Sequence, residues 1–392
     1  MKYVKVINQQ NMMRILHVSK YYFPYNGGIE NTCQQLAEGF PNDKTAVVCF
    51  NEGKEDIVET INGIQVYRAG SIANVARQSL SLSLCALIKK AIKEFKPDII
   101  HLHWCNPFGG AMLLMVIPKD VKLVIHWHSD VVNQELMSQK LIYKIIKPIE
   151  TALLKRADLV LTTSPLYVDE SKPLQPYKGK VKVLQSAIDT SKFQVNAEEA
   201  KKIEEIKKKY QGKPIVFFIG RHVTYKGIEL LLESEKYIHS DCVFLIAGKG
   251  PLTETLKAKV KSNRVHFVGR VSDEELKWYN RAATVFAFPS ITKQEAFGLA
   301  LVEAMYSEST PVCFTIPGSG VNWVSIKDET GLEVENGNIH AYAEAIDRLM
   351  SDDVLRQRLA HNARKRVEEK FTVPVMLSIL NNYYKSLLNN SI

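Results

Sequence analysis

Gln294-Glu295-Ala296-Phe297-Gly298-Leu299-Ala300-Leu301-Val302-Glu303-Ala304-Met305 is the stretch that decides the fold. It follows an apolar run, Ala283 to Pro289, whose β-branched and aromatic residues and closing Pro-Ser fit a buried strand that empties into a loop. Glu295 falls in that loop. Gly298 opens a helix, to which Leu299, Leu301, Val302 and Met305 give an apolar face, with Glu303 on the other side. A strand, a loop and a helix N-terminus make an anion site: the unpaired amides of Phe297, Gly298 and Leu299 point outward with the positive end of the dipole, and glycine lets a phosphate come close. At ~1.5 Å rise per residue, Glu303 stands roughly 7 Å along the axis from Gly298, about the reach from a β-phosphate back to a ribose. It is therefore placed to hold ribose hydroxyls. Glu295 faces whatever lies beyond the phosphates, where a carboxylate is a good acceptor for sugar hydroxyls.

Two carboxylates repel a diphosphate, so this reading requires cations elsewhere. Arg221 and Lys226 supply them from Gly220-Arg221-His222-Val223-Thr224-Tyr225-Lys226-Gly227, a glycine turn after the strand Ile215 to Ile219. That turn puts both side chains at the carboxyl end of a parallel sheet.

With Glu295 and Glu303 flanking Phe297-Gly298, and Arg221 and Lys226 before them, the chain resembles the retaining nucleotide-sugar glycosyltransferases of family 4. Their signature is E-x7-E and their fold is GT-B, two Rossmann-like parallel-sheet domains facing a cleft. The likeness runs over almost the whole chain. It takes in Gly27-Gly28-Ile29-Glu30, His126-Trp127-His128-Ser129-Asp130, Gly248-Lys249-Gly250-Pro251 and Val265-His266-Phe267-Val268-Gly269, which with the Glu295–Glu303 signature make five patterns in the family's order. One departure is Ser307-Glu308-Ser309, which stands where the family has a glycine before Thr-Pro. The resemblance implies that Gly27 and Gly28 lie beside the donor's phosphates and the acceptor. It also implies that His128, with Asp130 near it, faces the transferred sugar, and that Gly248 and Val268 line the base pocket. It implies no metal and no cofactor beyond the nucleotide-sugar donor. The similarity is to bacterial surface-polysaccharide mannosyl- and rhamnosyl-type transferases, which points first to GDP-mannose and second to a UDP-hexose. The implied acceptor is a saccharide or lipid-linked oligosaccharide.

The 392 residues, 46% hydrophobic and 24% charged, are an ordinary globular composition with length for two to three domains. The expected division is 1–192 for the acceptor and 193–372 for the nucleotide sugar, with a helix over 373–392 crossing back. No apolar run reaches the ~18 residues of a spanning helix, and Met1 to Met13 is too polar for a signal peptide, so the expected location is cytoplasmic. Six cysteines without a C-x-x-C pair read as reduced thiols. Of the net charge of +9, a surplus of 7 sits in residues 1–195, with 24 Lys+Arg against 17 Asp+Glu. The lysines are not interleaved with exposed aromatics and no nucleic-acid motif occurs, which argues against nucleic acid. An anionic membrane surface fits better.

Strand and helix signals alternate throughout, the mark of parallel α/β sheets. Arg14 to Ser19, Ala46 to Asn51 and Gln65 to Ala69 read as strands, and Gln78 to Phe95 as one helix with Leu80 on its apolar face and Lys89, Lys90, Lys93 and Lys96 at its end. Those lysines complement the helix dipole or meet lipid. Asp98 to His103 and Val121 to Trp127 are strands ending in His-x-His, and alternation puts each pair of histidines on one face. Two such pairs can bind zinc, but no cysteine or carboxylate stands at ligand spacing. Leu141 to Arg156 is a helix carrying Lys144, Lys147, Lys155 and Arg156. Gly248-Lys249-Gly250 lacks the third glycine of the dinucleotide fingerprint, Thr253 standing in its place. Pro311 to Thr315 is expected to end the second sheet. On the same fold, an epimerase or a phosphorylase competes with the transferase, but nothing singles out the lysine a phosphorylase cofactor needs. A non-catalytic binding subunit would have lost Glu295, Glu303, Arg221, Lys226 and His128.

Overall fold

Strands covered on both faces read as continuous apolar runs, and here they assemble two parallel sheets. The computed structural model describes residues 12–25, 27–75, 78–131 and 137–389, the side chains of 137–141 excepted. The opening residues 1–11 and the last three positions of the expected returning helix lie outside them. Two compact units result: the chain up to Leu161 with Pro176–Lys182 and the segment from Leu380, and Thr162–Gln175 with Val183–Ile379. The boundary expected at 192/193 falls inside the second unit.

The first unit is built on β1 (Arg14–Val18), β2 (Lys44–Phe50), β3 (Ile57–Ile61), β4 (Ile64–Ala69), a small hairpin β5 (Ala73–Val75) and β6 (Gln78–Leu80), β7 (Ile99–Trp104), β8 (Lys122–Trp127), β9 (Leu159–Thr162) and β10 (Val181–Val183). The main sheet runs β10-β9-β8-β7-β1-β2-β4-β3. Edge strand β3 is antiparallel to β4. Chain order reverses at β1, which pairs with β2 on one side and β7 on the other.

The second unit repeats the plan with β11 (Ile215–Ile219), β12 (Val243–Ala247), β13 (Val265–Gly269), β14 (Val285–Phe288), β15 (Thr310–Phe314) and β16 (Leu332–Val334) in the order β13-β12-β11-β14-β15-β16. Chain order reverses between β11 and β14, which pair in parallel with Val216 opposite Val285 and Phe217 opposite Phe286. Phe217, Phe218, Phe244 and Phe286 are fully buried around that junction. Each burial is worth about 1.5–3 kcal/mol, so the strands whose ends carry the loops of the candidate site are firmly anchored. Among the described residues, no helix is long and apolar enough to cross a membrane.

Two expectations are corrected. Gln78 to Phe95 is not one helix: Gln78–Leu80 pairs with Ala73–Val75 and the helix is Leu84–Phe95. Ser79, Ser81 and Ser83 interrupt the helical pattern, and serine hydroxyls bond elsewhere, Ser79 with the Tyr21 hydroxyl at 2.7 Å and Ser81 with Ser83 at 3.2 Å. The second sheet does not end at Pro311 to Thr315, because the short β16 takes the edge. Arg156, at the end of its helix, is tied down: its guanidinium donates to the carbonyls of Pro118 and Val121 and pairs with Asp158 at 3.0 Å. The departure at Ser307-Glu308-Ser309 has a plain geometry. Glu308 takes the left-handed conformation (φ 63°) in which glycine normally ends a helix, while the Ser309 amide caps the Ala304 carbonyl. Its carboxylate is held by Arg281 at 2.7 Å and Arg364 at 3.5 Å.

Candidate active site

Where chain order reverses in a parallel sheet, the loops leaving the two central strands turn to opposite faces and open a crevice at their carboxyl ends. In the second unit those loops follow β11 and β14. The first carries Arg221 and Lys226; the second carries Ser290, Glu295 and Gly298. They are tied together by backbone: the Ile291 amide donates to the Tyr225 carbonyl at 2.9 Å. Gly227, with φ 64°, sits so close to Pro289 that a Cβ there would lie 1.9 Å from its carbonyl oxygen.

Lys226 and Glu295 form an ion pair, with side chains only 12% and 11% exposed. Ser290 Oγ donates to the same carboxylate at 3.0 Å, and Ser319 Oγ donates to the Glu295 carbonyl. Burial alone would lower the Lys226 pKa, but the Glu295 carboxylate, with Tyr225, outweighs it and holds the ammonium above its ordinary value. The sequence had assigned these two groups to separate parts of the ligand; the fold brings them together. Arg221 is exposed, and its guanidinium has no partner among the described residues.

Gly298 caps the helix Leu299–Tyr306 at φ 91°, beside the Phe288 ring. Among the described residues the backbone amides of Phe297, Gly298 and Leu299 have no hydrogen-bond acceptor. Unpaired amides, a dipole end and an exposed guanidinium make a charge pattern suited to an anion. Glu303, one turn on, is half-buried, and its carboxyl is pushed up to about 8 by burial, with Asp273 adding and Lys192 opposing. An acid raised in this way stabilises the fold fully below its free value of 4.5, and that contribution is lost as pH climbs through about 8. Glu303→Gln, which cannot ionise, should therefore melt roughly 5 °C above the wild type at pH 9 and within about 1 °C of it at pH 4, read by scanning calorimetry.

Gly248 (φ 108°) closes β12 against β11, where a Cβ would meet the Gly220 carbonyl oxygen at 1.9 Å. His222, which the sequence reading passed over, locks this contact: its ring bonds Thr253 Oγ1 at 2.9 Å and the Ala247 carbonyl at 3.3 Å. Thr253, in place of the third glycine, accepts from the Gly250 amide at 2.8 Å. Val268 is half-buried on edge strand β13, beside a groove of about 700 Å³ whose lining includes Tyr210, Arg264 and Tyr279 but neither Lys226 nor Glu295.

The remaining candidates belong to the first unit. Gly27 and Gly28 begin the helix Gly28–Glu38 after β1, and the space a Cβ would take at Gly27 is filled by the Glu30 carboxylate, 2.2 Å away. His128 follows β8; its amide donates to the Trp104 carbonyl at 3.1 Å, and its ring is buried. Asp130 accepts from the Trp127 indole at 2.9 Å.

Two family models match, one described as Glycosyltransferase Family 4 over residues 26–192 and one as Glycosyl transferases group 1 over 199–366. The chain is 28% identical to O-antigen chain mannosyltransferase C of Escherichia coli over 96% of its length and 100% of that protein's. It is also 28% identical to D-rhamnosyltransferase WbpZ of Pseudomonas aeruginosa, over 92% of each chain. Among solved structures, Anabaena Alr3699/HepE in complex with UDP superposes with a TM-score of 0.74 at 19% identity, covering 95% of this chain and 100% of that one.

Proposed function

The chain belongs to the family 4 glycosyltransferases of GT-B fold, and from that premise we propose that it moves a hexose from a nucleoside diphosphate to a hydroxyl of a saccharide or lipid-linked oligosaccharide, with retention at the anomeric carbon, in polysaccharide biosynthesis. The observation that carries this reading is the junction of β11 and β14, where the loop bearing Arg221 and Lys226 is tied to the loop bearing Glu295 and Gly298 by the Lys226–Glu295 ion pair and the bond from the Ile291 amide to the Tyr225 carbonyl. Charge develops on the departing diphosphate, and preorganised donors aimed at it are typically the largest catalytic contribution. Arg221, Lys226 and the helix amides fill that role, Glu303 holds the ribose, and Glu295 contacts the transferred sugar. For His128 the resemblance alone supports a contact to a sugar hydroxyl. The leaving phosphate takes the acceptor proton. GDP-mannose is the first donor, in line with the mannosyl- and rhamnosyltransferase relatives. A UDP-hexose is the second, favoured by the UDP complex of HepE.

The test is a transfer assay over GDP- and UDP-hexoses with EDTA present throughout. Because protein cations and amides balance the diphosphate, chelation should leave turnover within about twofold. Loss of transfer that one divalent ion restores would overturn the metal-independent reading.

The enzyme is further proposed to work at the cytoplasmic face of the membrane. Lys89, Lys90, Lys93 and Lys96 are exposed at the end of the helix Leu84–Phe95, as are Lys144, Lys147 and Lys155 on the helix Met137–Arg156. Each lysine near an anionic surface is worth about 1 kcal/mol. The protein should sediment with anionic vesicles at low salt, release at high salt and ignore neutral vesicles, and reversing Lys89, Lys90 and Lys93 to glutamate should weaken this without unfolding it. Equal sedimentation with neutral and anionic vesicles would return these lysines to solvated-face status.

A further inference from the structure

Five buried imidazoles share one face of the first unit's sheet: His17 on β1, His101 and His103 on β7, His126 on β8, and His128 just beyond it. In register, His17 lies opposite His101, and His103 opposite His126. Ring nitrogens this close invite a metal reading, and two groups of three have donor atoms within 4.8 Å of one another, His17 with His101 and His103, and His103 with His126 and His128. Both groups need His103, and both of its ring nitrogens are already engaged. Its Nε2 lies 3.2 Å from His17 Nδ1 and its Nδ1 lies 3.1 Å from His128 Nε2. The geometry is a hydrogen-bonded chain of three rings, and a ligand set would have to break it.

Burial keeps all three rings neutral, so each carries one N–H. Each link then needs one donor and one acceptor, which leaves only two proton arrangements. Either all three rings are protonated on Nδ1, or all three on Nε2. The tautomer of His128 is thus not its own choice; it is shared with two residues deeper in the sheet. His128 Nε2 is spent on the chain, and Nδ1 remains for a ligand.

We propose that His103, backed by His17, is a positioning residue that locks the His128 ring in one orientation and one tautomer, presenting Nδ1 to a hydroxyl of the transferred sugar. The sugar contact rests on the transferase reading above; the locked ring does not. The experiment is long-range proton–nitrogen NMR of the full chain with ¹⁵N-labelled histidine, assigned by single substitutions. In the wild type, His17, His103 and His128 should show one common, unmixed tautomer. His103→Phe, which keeps an aromatic ring but bonds neither neighbour, should turn His128 into a tautomer mixture. His103→Gln, whose amide can donate at one end and accept at the other, should restore it. In the transfer assay, kcat should fall at least about tenfold in the Phe variant and recover in the Gln variant, with nucleotide affinity unchanged. If His103→Phe does not fold, His17→Leu breaks the outer link and should likewise unlock His128. The proposal is overturned by a His128 spectrum that ignores these changes, or by a stoichiometric metal that His103→Phe releases. Absence of transfer in a wild type with the locked ring would instead count against the transferase reading and the sugar contact that rests on it.

Discussion

Lys226→Ala is expected to lower turnover by about 10²- to 10³-fold, the usual cost of removing one preorganised donor to a developing anion. It should also destabilise the fold by about 3–5 kcal/mol, because it leaves the Glu295 carboxylate buried without its cation. Removing both charges is gentler than removing one. The double variant Lys226→Met/Glu295→Gln should therefore regain much of the lost stability while staying inactive. Denaturant unfolding and the transfer assay measure the two effects separately. A single variant that is inactive yet as stable as the wild type would mean that the ion pair is solvated and serves chemistry alone.

Gly227→Ala should be at least as damaging to the fold, at more than about 4 kcal/mol. The left-handed conformation costs a side chain about 1–2 kcal/mol, and the added Cβ would also have to push aside the Pro289 carbonyl, which is the end of the neighbouring strand. That displacement would part the β11 and β14 loops, so activity should go with stability. Gly63 is the control: its φ is 82°, but nothing lies within 4 Å of the Cβ position, so Gly63→Ala should show the conformational cost alone. Equal losses at the two sites would show that the close approach at Pro289 is not a constraint.

The paired sheets were legible because buried parallel strands advertise themselves as apolar runs, as in Ile215 to Ile219 and Thr284 to Phe288, each followed by a glycine turn or Pro-Ser. The helix N-terminus at Gly298 was legible for the same reason, since a strand, a loop and a glycine fix it locally. What could not be read depended on pairing between distant segments. Nothing in the spacing says that Lys226 bonds Glu295, 69 residues on, or that His222 spans to Thr253 and Ala247. His17 shows no His-x-His pattern and joins its cluster only because β1 lies beside β7. One feature was local and still missed. Asn62-Gly63 joins β3 to β4 with both residues at positive φ, the turn that matches the twist of a hairpin, and Asn-Gly between apolar residues is its signal. The uniform apolarity of Pro-Phe-Gly-Gly-Ala-Met-Leu-Leu-Met-Val likewise hid the helix Pro107–Val116, which has no polar face to mark its period.

The central claim is that the crevice between β11 and β14 binds a nucleoside diphosphate through Arg221, the Gly298 amides and Glu303, and titration calorimetry of GDP and UDP in EDTA tests it most directly. The wild type should bind one of the two. Arg221→Ala and Glu303→Ala should each weaken that binding by at least about tenfold, through the loss of one hydrogen-bonding partner each, whereas Glu295→Ala should not weaken it and should act on turnover. Binding that is absent, or that is equal in the wild type, Arg221→Ala and Glu303→Ala, would contradict the account.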